Sequence, residues 1–521
     1  MTFNREGILQ RLEDRRVVWD LVVIGGGATG TGVALDAAAR GYQTVLLERA
    51  DFGAGTSSRS TKLVHGGVRY LRQAHIGLVF EALHERSRLL ENAPHLVHDL
   101  AFVVPCYRRR DLAFYGAGLK AYDLLAGRTR FGHSKIVGSD GVLSRLPTLT
   151  RDQLRGGVVY HDGQFDDARL VIHLAMTAVS RGATVLNYMN VTGLLRASGG
   201  AVNGVIASNG ETGAEYLIQA KAVVNAAGPF CDEIRQLAKP SAQRMIAASQ
   251  GSHIVLNRSF LPGDSALLIP ETPDGRVLFA IPWRGHTLVG TTDVALGDVP
   301  REPMASSQEI EYILETASKY FTKPPQKSDI LSTFSGIRPL VKAGGGSTAS
   351  LSRDYTLQVE EPGLLTLTGG KWTTYRAMAE ACVDRVAELA QLPRAKCITS
   401  GLHIHGYDPA ADQANHLSVY GTDAAEIRTI SRSDPSLAKQ LHSALPYTGA
   451  EVVWAVRAEQ ARTVADVLGR RTRALFLNAQ AAIEMAPRVS ELMARELGRD
   501  EEWIARQNRE FSELARGYCA K

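Results

Sequence analysis

Apolar and polar positions along this chain follow two rhythms. The first apolar run, Leu21-Val22-Val23-Ile24, is continuous and short, as in a strand buried on both faces. It ends at Gly25-x-Gly27-x-x-Gly30; an Ala-rich helical stretch, Val33 to Arg40, follows, then a turn at Gly41. A second run, Thr44 to Leu47, closes on Glu48. Helical periodicity recurs from about Leu78 to Asn92 (Leu83, Leu89, Leu90) and from Asp166 to Arg181 (Ala168, Leu170, Val171, Leu174, Ala175). Residues 184–224 alternate and break at glycines, which predicts a small β-meander. Ala222 to Gly228-Pro229 reads as a buried strand ending in small residues, and residues 241–300 read as further strands. Leu364 to Thr368 predicts a strand, Gly369-Gly370 a tight turn, and Lys371 onward a helix. Beyond Cys397 the chain is Ala-, Arg- and Glu-rich and poor in glycine, so a helical tail is expected.

The first strand–helix–strand unit has every part of a dinucleotide-binding fingerprint. Gly25 permits the turn out of the strand, Gly27 lets a pyrophosphate approach the backbone, and Gly30 lets the helix pack close. The helix N-terminus offers unpaired N–H groups to phosphate. Glu48 stands where a carboxylate accepts the hydroxyls of an adenosine ribose, which disfavours NADP. FAD and NAD both remain open at this level.

Composition changes the picture little. The 521 residues are 45% hydrophobic and 22% charged, enough for two to four domains. Five cysteines are scattered without metal-ligand spacing, and their odd number argues against a disulfide framework, which suits a reducing compartment. The polar N-terminus does not read as a signal peptide, and no stretch reaches the ~18 apolar residues of a spanning helix. A net charge of +5 fits an anionic substrate or membrane surface without requiring either, and nucleic-acid binding has no motif support.

Several positions carry candidate chemistry. The turn at Gly369-Gly370-Lys371-Trp372 offers backbone N–H groups, or is a routine connection. Arg69, Arg338 and Arg353 each sit in a turn near apolar strands, where a guanidinium wants an anion: a phosphate ester, or a carboxylate elsewhere among a chain with 59 Lys and Arg. His65 is a candidate proton acceptor or a structural histidine. Asp293 either holds a loop or meets cofactor hydroxyls, and His253 either faces the ring or belongs to the core. The segment Arg108-Arg109-Arg110 … Phe114-Tyr115 … Leu124-Leu125 … Arg128 has basic ends around an apolar, aromatic middle; it suits an interfacial helix or one packed on its own protein.

These motifs are ordered. Gly25-x-Gly27-x-x-Gly30, Thr56-Ser57-Ser58, Lys62-Leu-Val-His65-Gly-Gly-x-Arg69-Tyr70, Asp166-Asp167-Ala-Arg169-Leu170, Gly251-Ser-His253, Gly290-Thr-Thr-Asp293, Gly336-x-Arg338-Pro, Arg353-Asp-Tyr and Gly369-Gly-Lys371-x-Thr-Thr-Tyr375-Arg376 follow one another along the chain. In this the chain resembles the FAD-dependent, respiratory sn-glycerol-3-phosphate dehydrogenases from about residue 18 to 395, and more loosely beyond. The resemblance implies an α/β fold: a glutathione-reductase-like, FAD-binding Rossmann domain, a mixed-sheet substrate domain and a C-terminal helical domain. A lead at 1–17 would precede the oxidoreductase region, 18–395. Within that region FAD-binding parts are expected at about 18–90, 150–240 and 330–395, and substrate-domain parts at about 91–149 and 241–329. A helical cap would occupy 396–521.

The resemblance also implies the site. Non-covalent FAD would be bound by Gly25, Gly27, Thr29, Gly30, Glu48, Thr56, Ser57, Ser58, Lys62, His65, Gly66, Gly67, Val191, Ala227, Gly228, Asp293, Gly336, Gly370, Lys371, Trp372 and Thr373. Substrate would be held by Arg69, Tyr70, His253 and Arg353, with His65, Arg338 and Lys371 at the chemistry. The implied reaction oxidises sn-glycerol 3-phosphate to dihydroxyacetone phosphate and passes electrons to a membrane quinone, on a cytoplasmic protein peripheral to the inner face of the membrane. An anionic membrane surface is an implied partner, and a homodimer is compatible. Three alternatives stand beside it: an oxidase reducing oxygen to hydrogen peroxide, a 2-hydroxy-acid or amine oxidase on the same scaffold, and a flavin-binding module without turnover. The last two account less well for Arg69, Arg353 and Lys371 together.

Overall fold

The computed structural model describes residues 5–67, 76–127, 131–270, 272, 275–342 and 355–520. Two sheets organise them. In the first, the fingerprint strand Val18–Ile24 lies between Thr44–Leu47 and Glu215–Asn225, all parallel. Leu364–Gly369 extends the parallel set beyond Glu215–Asn225, and Thr184–Leu186 extends it on the other side. Strands buried on both faces need continuous apolar runs, and Leu21, Val22 and Val23 have no exposed surface. The hairpin Met189–Arg196 with Val202–Asn209 joins antiparallel to Glu215–Asn225, so the alternating 184–224 region is the expected meander.

The second sheet is largely antiparallel. Its long strands Ile246–Asn257 and Ile330–Val341 pair along almost their whole length. His286–Gly290, Leu278–Trp283, Ala266–Ile269, Val97–Cys106 and Gly156–Phe165 continue it. Helices Ile76–Asn92 and Arg109–Ala126 flank this sheet, and helix Asp167–Ser180, capped by the Asp166 carboxylate, covers the first.

Two sequence-based expectations change. The helix after Gly369-Gly370 does not begin at Lys371. Both glycines take positive φ (80° and 73°) and Lys371 is extended, so a short turn, Trp372–Thr374, precedes helix Tyr375–Leu389. The tail is not uniformly helical. Helix Gly449–Glu459 stops where Gln460 turns left-handed, a π-helical turn spans Asp466–Arg471, and a two-stranded hairpin lies at Gln440–His442 and Leu445–Thr448. Helices Ala479–Leu497 and Glu501–Arg516 complete it. Their apolar faces share one continuous core with the second sheet, joining Phe102, Phe334 and Trp283 to Phe476, Met485 and Phe511. Helix Arg5–Glu13 also packs on the body: Leu12 is buried, Arg11 stacks over Trp19, and Arg5 reaches Asn187.

Candidate functional site

The fingerprint turn is built by close approach. A Cβ on Gly30 would sit 1.8 Å from the Gly25 carbonyl oxygen, so only glycine lets helix Ala28–Ala39 cross the strand end at this distance. The first turn of a helix leaves N–H groups without intrahelical partners; here Ala28 N–H donates to Ser57 Oγ at 2.9 Å. Glu48 accepts from the N–H of Gly26 (2.6 Å) and of Ala50 (2.7 Å), and burial raises its carboxyl above the usual range. Each carboxylate oxygen still has a second acceptor position.

Apart from this turn, a cavity of about 870 Å3 is lined by the loop Thr56–Gly67, by strands of the second sheet and by the turn at 370–373. Three segments distant in sequence interlock around its mouth. Thr56 Oγ1 donates to the Ile337 carbonyl, Trp372 Nε1 to the Ser57 carbonyl, and His65 N–H to Thr373 Oγ1. The wall carries His65, His253, Arg276, Arg338 and Lys371, with Asp293 among them. Register explains the pairing: Ser249 faces Arg338, Gly251 faces Gly336, and His253 faces Phe334 across the two long strands. Gly251 and Gly290 make the room. A Cβ on either would lie 2.3 Å from the Arg338 guanidinium or the His253 ring.

His253 is buried, stacked on Phe334 at 4.8 Å, with Nε2 at 2.9 Å from Thr61 Oγ1. Burial first, then the charges of Lys62 and Arg338, push its pKa well below the ordinary histidine value, so the ring is neutral at pH 7. Arg338 donates to Thr291 Oγ1 (3.1 Å) and the Thr292 carbonyl (3.0 Å), and lies 3.4 Å from Asp293. Apolar side chains share the lining: Phe102, Val104, Tyr115, Leu119, Leu268 and Phe279.

Over residues 20–385 the chain matches the family of FAD dependent oxidoreductases, and over 365–504 the C-terminal domain of alpha-glycerophosphate oxidase. It is 42% identical to a probable mitochondrial glycerol-3-phosphate dehydrogenase of Caenorhabditis elegans, over 99% of this chain and 75% of that one. The human mitochondrial glycerol-3-phosphate dehydrogenase is 41% identical over 96% of this chain and 73% of its own. The chain belongs to the FAD-dependent glycerol-3-phosphate dehydrogenase family. Its fold agrees with the solved glycerol-3-phosphate dehydrogenase of Bacillus halodurans complexed with FAD: TM-score 0.81, 29% identity, 99% of this chain and 97% of that one. The L-alpha-glycerophosphate oxidase of Mycoplasma pneumoniae shares the fold at 17% identity and a TM-score of 0.57, over 74% of this chain and 98% of its own.

For a glycerol-3-phosphate dehydrogenase family member, the residues present fit FAD. The glycine cradle at 25–30, the acid at Glu48, the strand end at Ala227-Gly228 (φ 55°) and the 370–373 turn suit a long dinucleotide. Among the expected site residues, Thr56, His65, Gly67, His253, Asp293, Gly336, Arg338, Gly370, Lys371, Trp372 and Thr373 meet at the one cavity. Gly66 lies just behind, its N–H bonded to Tyr122 Oη. Thr29 is half-buried in the first turn of the fingerprint helix, and Val191 lies in the core of the first sheet. Arg69, Tyr70 and Arg353 lie outside the described residues.

The Lys62 side chain does not reach the cavity. Its ammonium is fully buried behind the wall against Asp167 and the Ser58 carbonyl, 2.7 and 2.9 Å away, which also turns Ser58 inward. Sequence reasoning missed Arg276 and Arg59, which join the wall. Arg276 sits in Asp274-Gly275-Arg276, a stretch with the composition of an ordinary surface turn, so no local signal marks it.

Proposed function

We propose that the protein oxidises sn-glycerol 3-phosphate to dihydroxyacetone phosphate and delivers the electrons to a membrane quinone. The carrying observation is one cavity whose wall brings Arg338, Lys371 and two histidines together with a set of apolar side chains. FAD, when bound, supplies the hydride acceptor. The chain's own residues do the rest. Arg338 and Lys371 supply cations for the phosphate and hydroxyl oxygens of the substrate, each charge-assisted bond contributing about 1.5–3 kcal/mol. His65 and His253, both in the cavity wall, are the groups placed to take the substrate hydroxyl proton.

The apolar lining suits a lipophilic acceptor, and helix Arg109–Ala126, which contributes to it, continues to the surface. There Phe114 and Leu124 are 58% and 82% exposed, and Ile76 and Phe80 stand exposed on the neighbouring helix Ile76–Asn92. With exposed Arg108, Arg109 and Arg110 beside them, this face fits an anionic membrane surface and peripheral attachment on its inner side. Among the described residues no helix is long and apolar enough to cross a membrane. The oxidase reading keeps one support, the match of residues 365–504 to an oxidase C-terminal domain.

Anaerobic addition of glycerol 3-phosphate to the flavin-loaded protein is expected to bleach the flavin, and an oxidised spectrum would sink the proposal. Quinone reduction without peroxide is then expected. Stoichiometric hydrogen peroxide would assign the oxidase instead.

A further inference from the structure

One carboxylate in the cavity wall is divided between two guanidiniums. Asp293 follows strand His286–Gly290. Its Oδ2 lies 3.0 Å from Arg276, which also donates to the Asp293 carbonyl at 2.7 Å. Its Oδ1 accepts from Ser249 Oγ and faces Arg338 at 3.4 Å. Arg338 lies 3.1 and 3.0 Å from neutral acceptors, Thr291 Oγ1 and the Thr292 carbonyl, and 3.4 Å from this carboxylate. All three side chains border the cavity.

A guanidinium closely paired with a carboxylate loses much of its pull on another anion. We propose that Arg276 is a positioning residue of the anion site: by holding Asp293 from its far oxygen and its main chain, it keeps that carboxylate from closing on Arg338. Arg338 then presents its charge to the cavity. The fold supplies the separation. Arg276 enters from the turn before strand Leu278–Trp283, whereas Arg338 stands on strand Ile330–Val341, so the carboxylate is drawn from opposite sides.

This inference rests on the proposed substrate, so flavin bleaching of the unaltered protein by glycerol 3-phosphate comes first; its failure removes the substrate reading. Given bleaching, steady-state kinetics of the flavin-loaded variants test the positioning role. Arg276→Gln is expected to raise KM about tenfold, one lost charge-assisted contact, with kcat changed less and flavin content kept. Adding Asp293→Asn in the same chain is expected to return KM most of the way, since the released carboxylate is then gone. A purely structural role predicts the reverse, a double variant worse than either single one, and that result overturns the proposal. Asp293→Asn alone gives a second arm, independent of whether Arg276→Gln folds. Its KM is expected to fall below that of the parent, and an unchanged or raised KM overturns the inference.

Discussion

Two regions of this molecule use the same residue types to opposite ends. At the seam between the first sheet and the tail, arginines and acids are buried and mutually matched. Asp51 binds Arg470 and Arg471, Glu459 binds Arg169 and Arg471, and Asp167 binds Lys62 and Arg473. Burial alone would raise the Asp51 carboxyl, but Arg471 and Arg470 outweigh it and hold it at about 2. Burial pulls the Lys62 ammonium down to about 7 against the opposing pull of Asp167. In the cavity wall, Arg276 and Arg338 share one carboxylate and face open space. A guanidinium fixed by close acids sets geometry, whereas one loosely held beside a cavity recognises a ligand.

The sharpest way to break this contrast is at the seam. Asp51→Ala removes the acid shared by two buried arginines, leaving Arg470 with Asp466 and Arg471 with Glu459, and a loss of about 3 kcal/mol in unfolding free energy is expected. A loss below about 1 kcal/mol in denaturant titration would show that packing, not charge, holds the seam. The second test uses pH. His95 and His173 are buried at the same seam with Nε2 and Nδ1 3.0 Å apart; burial drives His95 down to about 4 and holds His173 well below the ordinary histidine value. The unfolded chain takes up these protons first, near pH 6.5. Stability is thus full above about pH 6.5 and drains as pH falls toward 4, by up to about 3 kcal/mol for His95. Melting temperature against pH should show the slope, and His95→Asn should flatten it; an unchanged slope would remove His95 from the account.

The cavity side should respond in activity rather than stability. Arg338→Ala is expected to lower kcat/KM for glycerol 3-phosphate about 10- to 100-fold with flavin content and melting point kept, matching the loss of one charge-assisted contact. A variant that instead loses its flavin would place Arg338 with the cofactor. The smallest effect belongs to the outer face. Arg109→Gln should weaken flotation with anionic liposomes about fivefold, from about 1 kcal/mol per cation near the surface, and leave neutral liposomes unaffected. Equal flotation would remove this helix from the membrane face.

The cavity floor was legible in the sequence because its signals are local. Gly370 in the strand–turn at Leu364–Gly370 lies within one supersecondary unit, as do the Gly25–Gly30 turn and Glu48 of the nucleotide cradle outside the cavity. The seam was not legible, because its partners are hundreds of positions apart and nothing near Asp51 announces Arg471. Lys62 was misplaced for the same reason: its motif resembles a cofactor loop, but Asp167 captures its ammonium from another element. Arg276 escaped because a charged residue after a glycine turn ordinarily faces water. The tail departed from its helical pattern where Gln460 turns left-handed, a local event that apolar spacing does not encode.

Tyr518 gives the order of synthesis a consequence. Its hydroxyl donates to Glu302, which grips Arg59 in the loop beside Gly336, and its carbonyl receives the N–H of Thr333 on the strand that carries Arg338. Arg59 and Tyr518 touch across 459 residues. The nucleotide-binding turn can fold as soon as it leaves the ribosome, but the wall of the cavity waits for a residue 459 positions after Arg59 to be made. A nascent chain can therefore cradle a dinucleotide well before it has a finished place to oxidise anything.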